Sequence, residues 1–248
     1  MAEDIREPRV GDAFGEMPAR CWDSGLRPGA SFEIIERDDG MMAAGDAVRY
    51  FHTEQEMAPL ERWACARAHG RVLDIGCGAG RHAVAVRVRG CEVVGLDPSP
   101  GAVRVARERG VDAVPGTLEE PPGDLGGFDT FLLLGNNLGL LRNADAAPGL
   151  LDGLRPFARP GARIIAASAD PEGEDGLHRT YHEWNRQRGR MPGQLRLRVR
   201  DRALASPWFD YLMASSADLA AITDGTAWRV GHVEHDGGAY IAVLVLRG

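Results

Sequence analysis

Arg71-Val72-Leu73-Asp74-Ile75-Gly76-Cys77-Gly78-Ala79-Gly80-Arg81 decides how this chain folds. The apolar residues up to Ile75 read as a short buried strand, the glycines as a turn, and the residues from Arg81 onward as a helix. A second strand, Cys91 to Leu96, ends on Asp97 about one βαβ unit further on. Strand, close-approach glycines, helix N-terminus and a downstream acid together make a nucleotide-handling half-site. The dinucleotide fingerprint G-x-G-x-x-G requires a glycine at position 81, where Arg81 stands, and this argues against a nicotinamide cofactor. Gly76, Gly78 and Gly80 still let backbone approach a ligand with no Cβ in the way. The amides that open the next helix can receive an anionic group such as a carboxylate.

Outward from this stretch the alternation is regular. Pro59 to Ala68 reads as a helix stopped by Gly70, Arg81 to Arg89 as a helix before Gly90, and Pro100 to Arg109 as a helix before Gly110. A weak third strand, Val111 to Val114, leads to Gly116-Thr117-Leu118-Glu119, and a strong apolar strand follows at Phe128 to Leu134. Gly135-Asn136-Asn137-Leu138-Gly139 breaks the chain after it. Helix Ala146 to Ala158, a turn at Arg159-Pro160-Gly161 and a fifth strand, Ala162 to Ser168, come next. Strands alternating with helices of this length imply a doubly wound, mostly parallel sheet whose binding loops share one edge. Helix Ser216 to Asp224 and strands around Arg229 to Glu234 and Tyr240 to Leu246, joined at His235-Asp236-Gly237-Gly238, complete it. The expected class is α/β: a seven-stranded sheet closed by an antiparallel C-terminal hairpin.

Two segments stand outside that alternation. Residues 1–57 contain Phe14, Met17 and Trp22, which suit a short anchoring helix, and a hairpin around Asp39-Gly40 within Phe32 to Met42. Residues 171–206 contain a polar aromatic helix, Leu177 to Arg188, then a strand with arginines at 196, 198, 200 and 202. The expected organisation is an N-terminal lid and hairpin segment over 1–57 and a main domain over 58–248. Within that domain, the insert 171–206 after the fifth strand forms a cap. The arginine row reads either as an anion-binding strip or as the solvated face of a strand.

The totals bound the rest. A chain of 248 residues with 44% hydrophobic and 26% charged content fits one soluble domain with elaborations. A net charge of −7 gives no general attraction to nucleic acid. Cys21, Cys65, Cys77 and Cys91 form neither a C-x-x-C pair nor zinc spacing. No signal peptide or long apolar run is visible, so the expectation is a cytoplasmic protein away from the membrane. High Ala, Arg and Gly usage suggests a GC-rich bacterial source.

Val72-Leu73-Asp74-Ile75-Gly76-Cys77-Gly78-Ala79-Gly80 resembles the first motif of the class I, Rossmann-like S-adenosylmethionine-dependent methyltransferases. The likeness covers roughly residues 58 to 170. It implies S-adenosyl-L-methionine as cofactor and S-adenosyl-L-homocysteine as product, and is nearly silent about substrate. It implies that Asp97, with Pro98 beside it, holds the ribose hydroxyls. Gly76, Cys77, Gly78 and Gly80 would lie against the methionine end, which Asp74 helps orient. Thr117 and Leu118 would bracket adenine, although the family's acid early in that loop is displaced here to Glu119. Gly135 and Asn136 stand where the fourth motif meets cofactor and substrate. The Asn-Pro-Pro-aromatic form used on nucleobases is absent. The run Glu36 to Gly40 followed by Tyr50-Phe51 is similar to a leader in a subset of this family, and it also reads as turn chemistry with solvated charges.

His178 and His182 stand four apart, so a helix presents both on one face, with Tyr181 and Asn185 nearby. That pair is open to three readings: a base or substrate contact, a solvated cap helix, or metal ligands. Metal is disfavoured because no Glu sits between them and no third ligand is evident. The candidate catalytic residues are therefore His178, His182 and Asn136. Substrate contacts are Arg37, His52, Asn137, Tyr181 and Asn185, with Tyr50 closing over the cofactor and no metal. The expected activity is methyl transfer to O, N or C of a small metabolite, of secondary metabolism. The rivals are a rearrangement or cyclisation on the same fold and a non-catalytic cofactor-binding module. Oligomeric state is open.

Overall fold

The computed structural model describes residues 8–173 and 178–248. The N-terminal segment contributes β1 (Arg9–Val10), α1 (Ala13–Asp23), β2 (Phe32–Arg37) and β3 (Met42–Asp46). The alternating body follows as α2 (Pro59–Cys65), β4 (Arg71–Ile75), α3 (Arg81–Val88), β5 (Glu92–Asp97), α4 (Pro100–Glu108), β6 (Asp112–Pro115), β7 (Phe128–Leu133), α5 (Ala147–Gly153) and β8 (Ala158–Ala169). After it come α6 (Arg179–Gln187), β9 (Gln194–Asp201), β10 (Leu204–Ala205), β11 (Phe209–Leu212), α7 (Ser216–Thr223), β12 (Trp228–Asp236) and β13 (Ala239–Leu246).

Seven strands form the main sheet in the order β12-β13-β8-β7-β4-β5-β6. The strands from β8 to β6 are parallel, and β13 and β12 return antiparallel. This is the doubly wound sheet with a C-terminal hairpin that the alternation implies. Local chemistry fixes its helix ends: Ser99 caps α4 by accepting from the Ala102 amide, with Pro100 in the first turn, and Ser215 with Asp218 forms a capping box on α7. Apolar side chains cover both faces. One core gathers Leu73, Phe131, Ile164 and Trp228, and the other gathers Val72, Val86, Leu132 and Ile165.

The fifth helix is shorter than its apolar pattern predicts. It ends at Gly153, and a single tight turn over Arg155–Phe157 follows. Pro156 lacks an amide proton and clashes with the preceding turn, so the helix cannot pass it. Strand β8 correspondingly begins at Ala158, and the expected Arg159-Pro160-Gly161 turn becomes an irregularity in its pairing with β7.

A second sheet, ordered β1-β10-β9-β2-β3 with β11 also on β9, covers the first. The N-terminal hairpin and the insert, which read from sequence as two separate covers, are strands of this one sheet, because β2 pairs with β9 from Ile34↔Arg200 to Arg37↔Leu197. Its alternation sorts the charges. Glu33 and Arg37 are buried on the inner face, while Glu36 on the outer face accepts from Arg198 at 2.8 and 3.0 Å and from Arg200 at 2.9 Å. The arginine row thus works as a cross-strand ladder, with Arg196 paired to Asp210. Helix α6 lies in the insert; Leu177, the expected first residue of that helix, lies outside the described residues. Among the described residues no helix is long and apolar enough to cross a membrane.

Candidate functional site

Strand order reverses beside β4: the chain runs from β4 to β5 on one side and later to β7 on the other. Open α/β sheets bind ligands in the crevice at such a switch point. Gly76, Gly78 and Gly80 leave β4 at φ of 68°, 53° and 78°, a region that favours glycine. A Cβ on Gly76 would lie 2.5 Å from Asn137 Nδ2, whereas one on Gly78 would reach only the Phe14 and Tyr50 rings at 3.5 and 3.9 Å. Gly78 is therefore the open point of the loop, roofed by the N-terminal segment. The Asn137 amide donates to the carbonyls of Ile75 (3.0 Å) and Gly76 (2.8 Å). Its NH2 group thus fastens the loop and is not aimed at a substrate. Cys77 packs its sulfur against Gly95 as a small apolar group.

Asp97 ends β5 and is 4% exposed. Its two oxygens accept from the amides of Gly78 (2.8 Å) and Ser99 (2.9 Å). Burial pushes its carboxyl up to about 6, against those two amide bonds and with Asp12 and Asp74 adding to the rise. A carboxylate offers about four lone-pair sites, so two remain for a pair of hydroxyls. Sequence reading missed Asp12. From the N-cap of α1 it accepts from the Gly15 amide, the Ser99 hydroxyl (3.0 Å) and the Gly101 amide (2.9 Å), and so ties α1 to the start of α4. Met17, Cys21, Ala47 and Phe51 pack with Ala79 and Val105 beneath it. Arg20 adds a bidentate pair with Asp201 at 2.8 and 2.7 Å.

Asp74, on β4, is 1% exposed, and its Oδ2 has no hydrogen-bond partner among the described residues. Burial raises its carboxyl, while His82, the Ala83 amide and Arg81 act in the opposite direction. Both side chains meet Glu61 of α2, with His82 Nε2 3.2 Å from Glu61 Oε1 and Arg81 paired to the same oxygen. Burial pushes Glu61 up, yet the His82 hydrogen bond and the Arg81 and His82 charges outweigh it and leave the carboxyl at about 2. An orphaned acid oxygen beside an open glycine turn fits a ligand that brings a cationic donor. An S-adenosylmethionine ammonium is such a donor, so these residues fit the expected cofactor.

The roof of the loop is built from Tyr50. Its hydroxyl donates to the buried Glu33, which also pairs with Arg49, and its ring meets Phe14 edge-on at 5.6 Å. Burial, then the Glu33 charge, holds the phenol well above its ordinary range, so it stays a donor. Arg109 bonds the carbonyls of both Tyr50 and Ala79, clasping roof to loop, and burial lowers it to about 10. At the end of β7, Gly135 and Asn136 are exposed. Asn136 holds φ of 68°, and its carbonyl accepts from Tyr211 of β11 at 2.6 Å. Glu33 and Tyr211 carry no sequence motif. Only their alternation with outward neighbours on β2 and β11 marks them.

A second cluster sits where the β2–β3 turn meets α6. Arg37 is held by Asp39 at 2.8 and 2.7 Å, lies 4.1 Å over the Tyr181 ring, and approaches His178 Nδ1 at 3.0 Å. Tyr181 donates to Asp38 at 2.7 Å, and burial with that bond raises its phenol to about 12. The His178 and His182 rings lie 6.1 Å apart, and His182 is buried. Tyr181, His182 and Asn185 form the buried face of α6. Asn185 is 0% exposed and donates to the carbonyls of Pro192 (2.8 Å) and Gln194 (2.9 Å) while accepting from Arg188. Its amide closes the insert on itself. His52 lies half-buried just after Phe51, Pro98 is exposed beside Asp97, and Leu118 is buried in the core while Thr117 accepts from the Glu120 amide. Among the described residues no group of three or more His, Cys, Asp or Glu side chains could hold a metal ion.

Residues 72–161 match the family model described as a methyltransferase domain. The chain is 30% identical over 129 residues to a tRNA U34 carboxymethyltransferase of Saccharophagus degradans, covering 48% of this chain and 36% of that protein. It is 30% identical over 124 residues to a ubiquinone biosynthesis O-methyltransferase of Methylocella silvestris, covering 47% of each. The chain thus spans half or less of the curated relatives it matches. A crystal structure of an S-adenosylmethionine-dependent methyltransferase from Bacteroides fragilis, in complex with S-adenosyl-L-homocysteine, superimposes with a TM-score of 0.80 at 25% identity, over 96% of this chain and 95% of that one. That likeness takes in the second sheet as well as the first.

Proposed function

We propose that this chain, which belongs to the class I S-adenosylmethionine-dependent methyltransferases, transfers the methyl group of S-adenosyl-L-methionine to an oxygen, nitrogen or carbon of a small molecule. The observation that carries this reading is the convergence of the Gly76–Gly80 loop, the two free acceptor sites of Asp97 and the orphaned Asp74 oxygen at one sheet edge, beneath the second sheet. The cofactor supplies an activated methyl on a positive sulfur, and the rest is alignment. Proximity and orientation can contribute roughly 7–11 kcal/mol.

In this reading Asp97 accepts from both ribose hydroxyls, and the glycine loop lies along the methionine end. Asp74 accepts from the ammonium directly or through water. Tyr50, held by Glu33, keeps bulk water from the loop. Gly135 and Asn136 face the substrate at the end of β7. Where the acceptor arrives protonated, His178 or His182 takes the proton; an acceptor that is already nucleophilic needs no base. Arg37 and Tyr181 fix the inner end of the cap through the β2–β3 turn. The small-molecule assignment draws on the cap sheet over the site and on the net charge of −7, which offers a polyphosphate no electrostatic pull. The same reading places the protein in the cytoplasm.

Incubation with S-adenosyl-L-methionine and a panel of small acceptors tests it. Formation of S-adenosyl-L-homocysteine with a product one methyl heavier is the expected outcome. Product without S-adenosyl-L-homocysteine indicates a rearrangement. Binding with neither indicates a cofactor-sensing module, and turnover only on tRNA overturns the small-molecule assignment.

A further inference from the structure

The inner face of the second sheet turns one buried carboxylate and several rings toward the crevice. Alternation puts Glu33, Ile35 and Arg37 of β2 on that face, with Phe209 and Tyr211 of β11 beyond β9. On the glycine-loop side Phe14 and Tyr50 meet edge-on at 5.6 Å, over Gly78. On the other side Phe209 and Tyr211 meet edge-on at 6.4 Å, and Tyr211 donates to the Asn136 carbonyl at the end of β7. Glu33 serves both sides: Tyr50 donates to its Oε1, and its charge, second to burial, raises the Tyr211 phenol. Ile35 is only half-buried although Glu33 and Arg37 on either side of it are buried, and Phe14, Tyr50 and Tyr211 are half-buried too. Inner-face side chains that still reach solvent border an unfilled space beneath the sheet.

That space is negative between the glycine loop and the end of β7. The Glu33 side chain is 7% exposed, whereas Arg49, its ion-pair partner, is 47% exposed. Water therefore screens the cation far more than the acid. Further along the strand, Asp39 neutralises Arg37 through two hydrogen bonds. A carboxylate has about four lone-pair sites, and Tyr50 and Arg49 occupy two of those on Glu33. The Tyr50 and Tyr211 hydroxyl protons are already used, on Glu33 and on the Asn136 carbonyl. What these rings turn to the crevice is π-surface. An anionic ligand group would meet the acid, whereas a cationic nitrogen finds an acceptor and ring faces together.

Building on the methyl-transfer reading, we infer that the methyl acceptor is an amine nitrogen, held at the Glu33 carboxylate among the rings of Phe14, Tyr50, Phe209 and Tyr211. Bulk water takes the proton of an arriving ammonium. The freed lone pair then forms the N–C bond as the C–S bond breaks. The electron pair of the broken bond stays on sulfur, so the positive charge passes from sulfur to nitrogen. Glu33 faces the atom on which that charge arrives, and a fixed opposite charge contributes most where charge develops. An alcohol, by contrast, gives up its proton and ends as a neutral ether, which gains nothing from the carboxylate.

Calorimetric titration with choline and with dimethylbutanol, in which carbon replaces the ammonium nitrogen, reads the site without turnover. Each probe is titrated into the full chain with and without saturating S-adenosyl-L-homocysteine. Choline should bind at least about tenfold more tightly than its uncharged isostere, and Glu33→Gln, which still accepts from Tyr50, should cut that ratio to about threefold or less. Tyr211→Leu should lower the ratio as well. A variant that merely loosens the pocket weakens both probes alike, so a ratio unmoved by Glu33→Gln overturns the inference. So does choline that binds no better than the isostere, or not at all. In the acceptor panel amines should be methylated in preference to alcohols and phenols. Methylation of alcohols or phenols alone overturns the amine assignment and leaves methyl transfer standing, whereas failure to bind S-adenosyl-L-homocysteine overturns both.

Discussion

Asp97 makes opposite demands on folding and on binding, and pH separates them. Its folded-state carboxyl stands at about 6 against an ordinary 3.8, with burial the leading cause. At about 1.4 kcal/mol per pKa unit, keeping it ionised in the empty protein costs roughly 3 kcal/mol. The folded pKa is raised, so the protonated form stabilises the fold: its contribution is fully present below about 3.8 and is lost as pH rises through about 6. Between pH 8 and about pH 5 the empty wild type should therefore gain on the order of 1.4 kcal/mol relative to Asp97→Asn, which cannot titrate. Binding should run the other way. Accepting two ribose hydroxyls needs the carboxylate, so affinity for S-adenosyl-L-homocysteine should fall about tenfold over the same interval. Urea denaturation of both proteins at each pH, and calorimetric titration of the homocysteine compound, measure the two trends. Two identical stability profiles, or wild-type affinity flat across the interval, would refute the reasoning.

Asp97→Ala at neutral pH should weaken cofactor binding by roughly 1.5–3 kcal/mol, the worth of a charged hydrogen bond, as read by calorimetry. Asp12→Ala removes the α1 cap and the tie to Ser99 and Gly101, and should cost about 1–2 kcal/mol in chemical denaturation; an unchanged midpoint would show that α1 is not anchored there. Ellman titration of the native protein should find Cys91 reacting first. Cys21, Cys65 and Cys77 are buried, and burial, chiefly, lifts Cys65 to about 12; rapid reaction of all four thiols contradicts this packing. Gly78→Ala places a methyl under Phe14 and Tyr50 at φ of 53°, and should lower cofactor affinity at least tenfold while costing the fold only about 1 kcal/mol.

The main sheet was legible because its signals are local. Continuous apolar runs, helix-ending Gly90 and Gly110, and the glycine turn after Ile75 each act within a few residues, and the βαβ rule then orders the strands. The second sheet was half legible. The hairpin at Asp39-Gly40 and the strand of alternating arginines were both visible, but their pairing joins residues more than 160 positions apart, as in the Glu36–Arg198 bond. No local pattern carries a register of that span. The same limit applies to side-chain partners. Asn137 and Asn185 looked like substrate contacts because amides in loops and on helix faces are versatile; both spend their NH2 groups on backbone carbonyls. Asp12, Glu33 and Glu61 went unseen because each bonds partners on other elements, among them Ser99, Tyr50 and His82. Glu33 and Glu36 show how little residue type decides: three positions apart on one strand, they serve opposite faces.

Co-crystallisation with S-adenosyl-L-homocysteine tests the central claim most directly. The account predicts one molecule in the crevice beside β4, both ribose hydroxyls on Asp97, its chain along Gly76–Gly80 and its amino group toward Asp74. A crevice left empty at saturating ligand, or a ribose held by other residues, contradicts it.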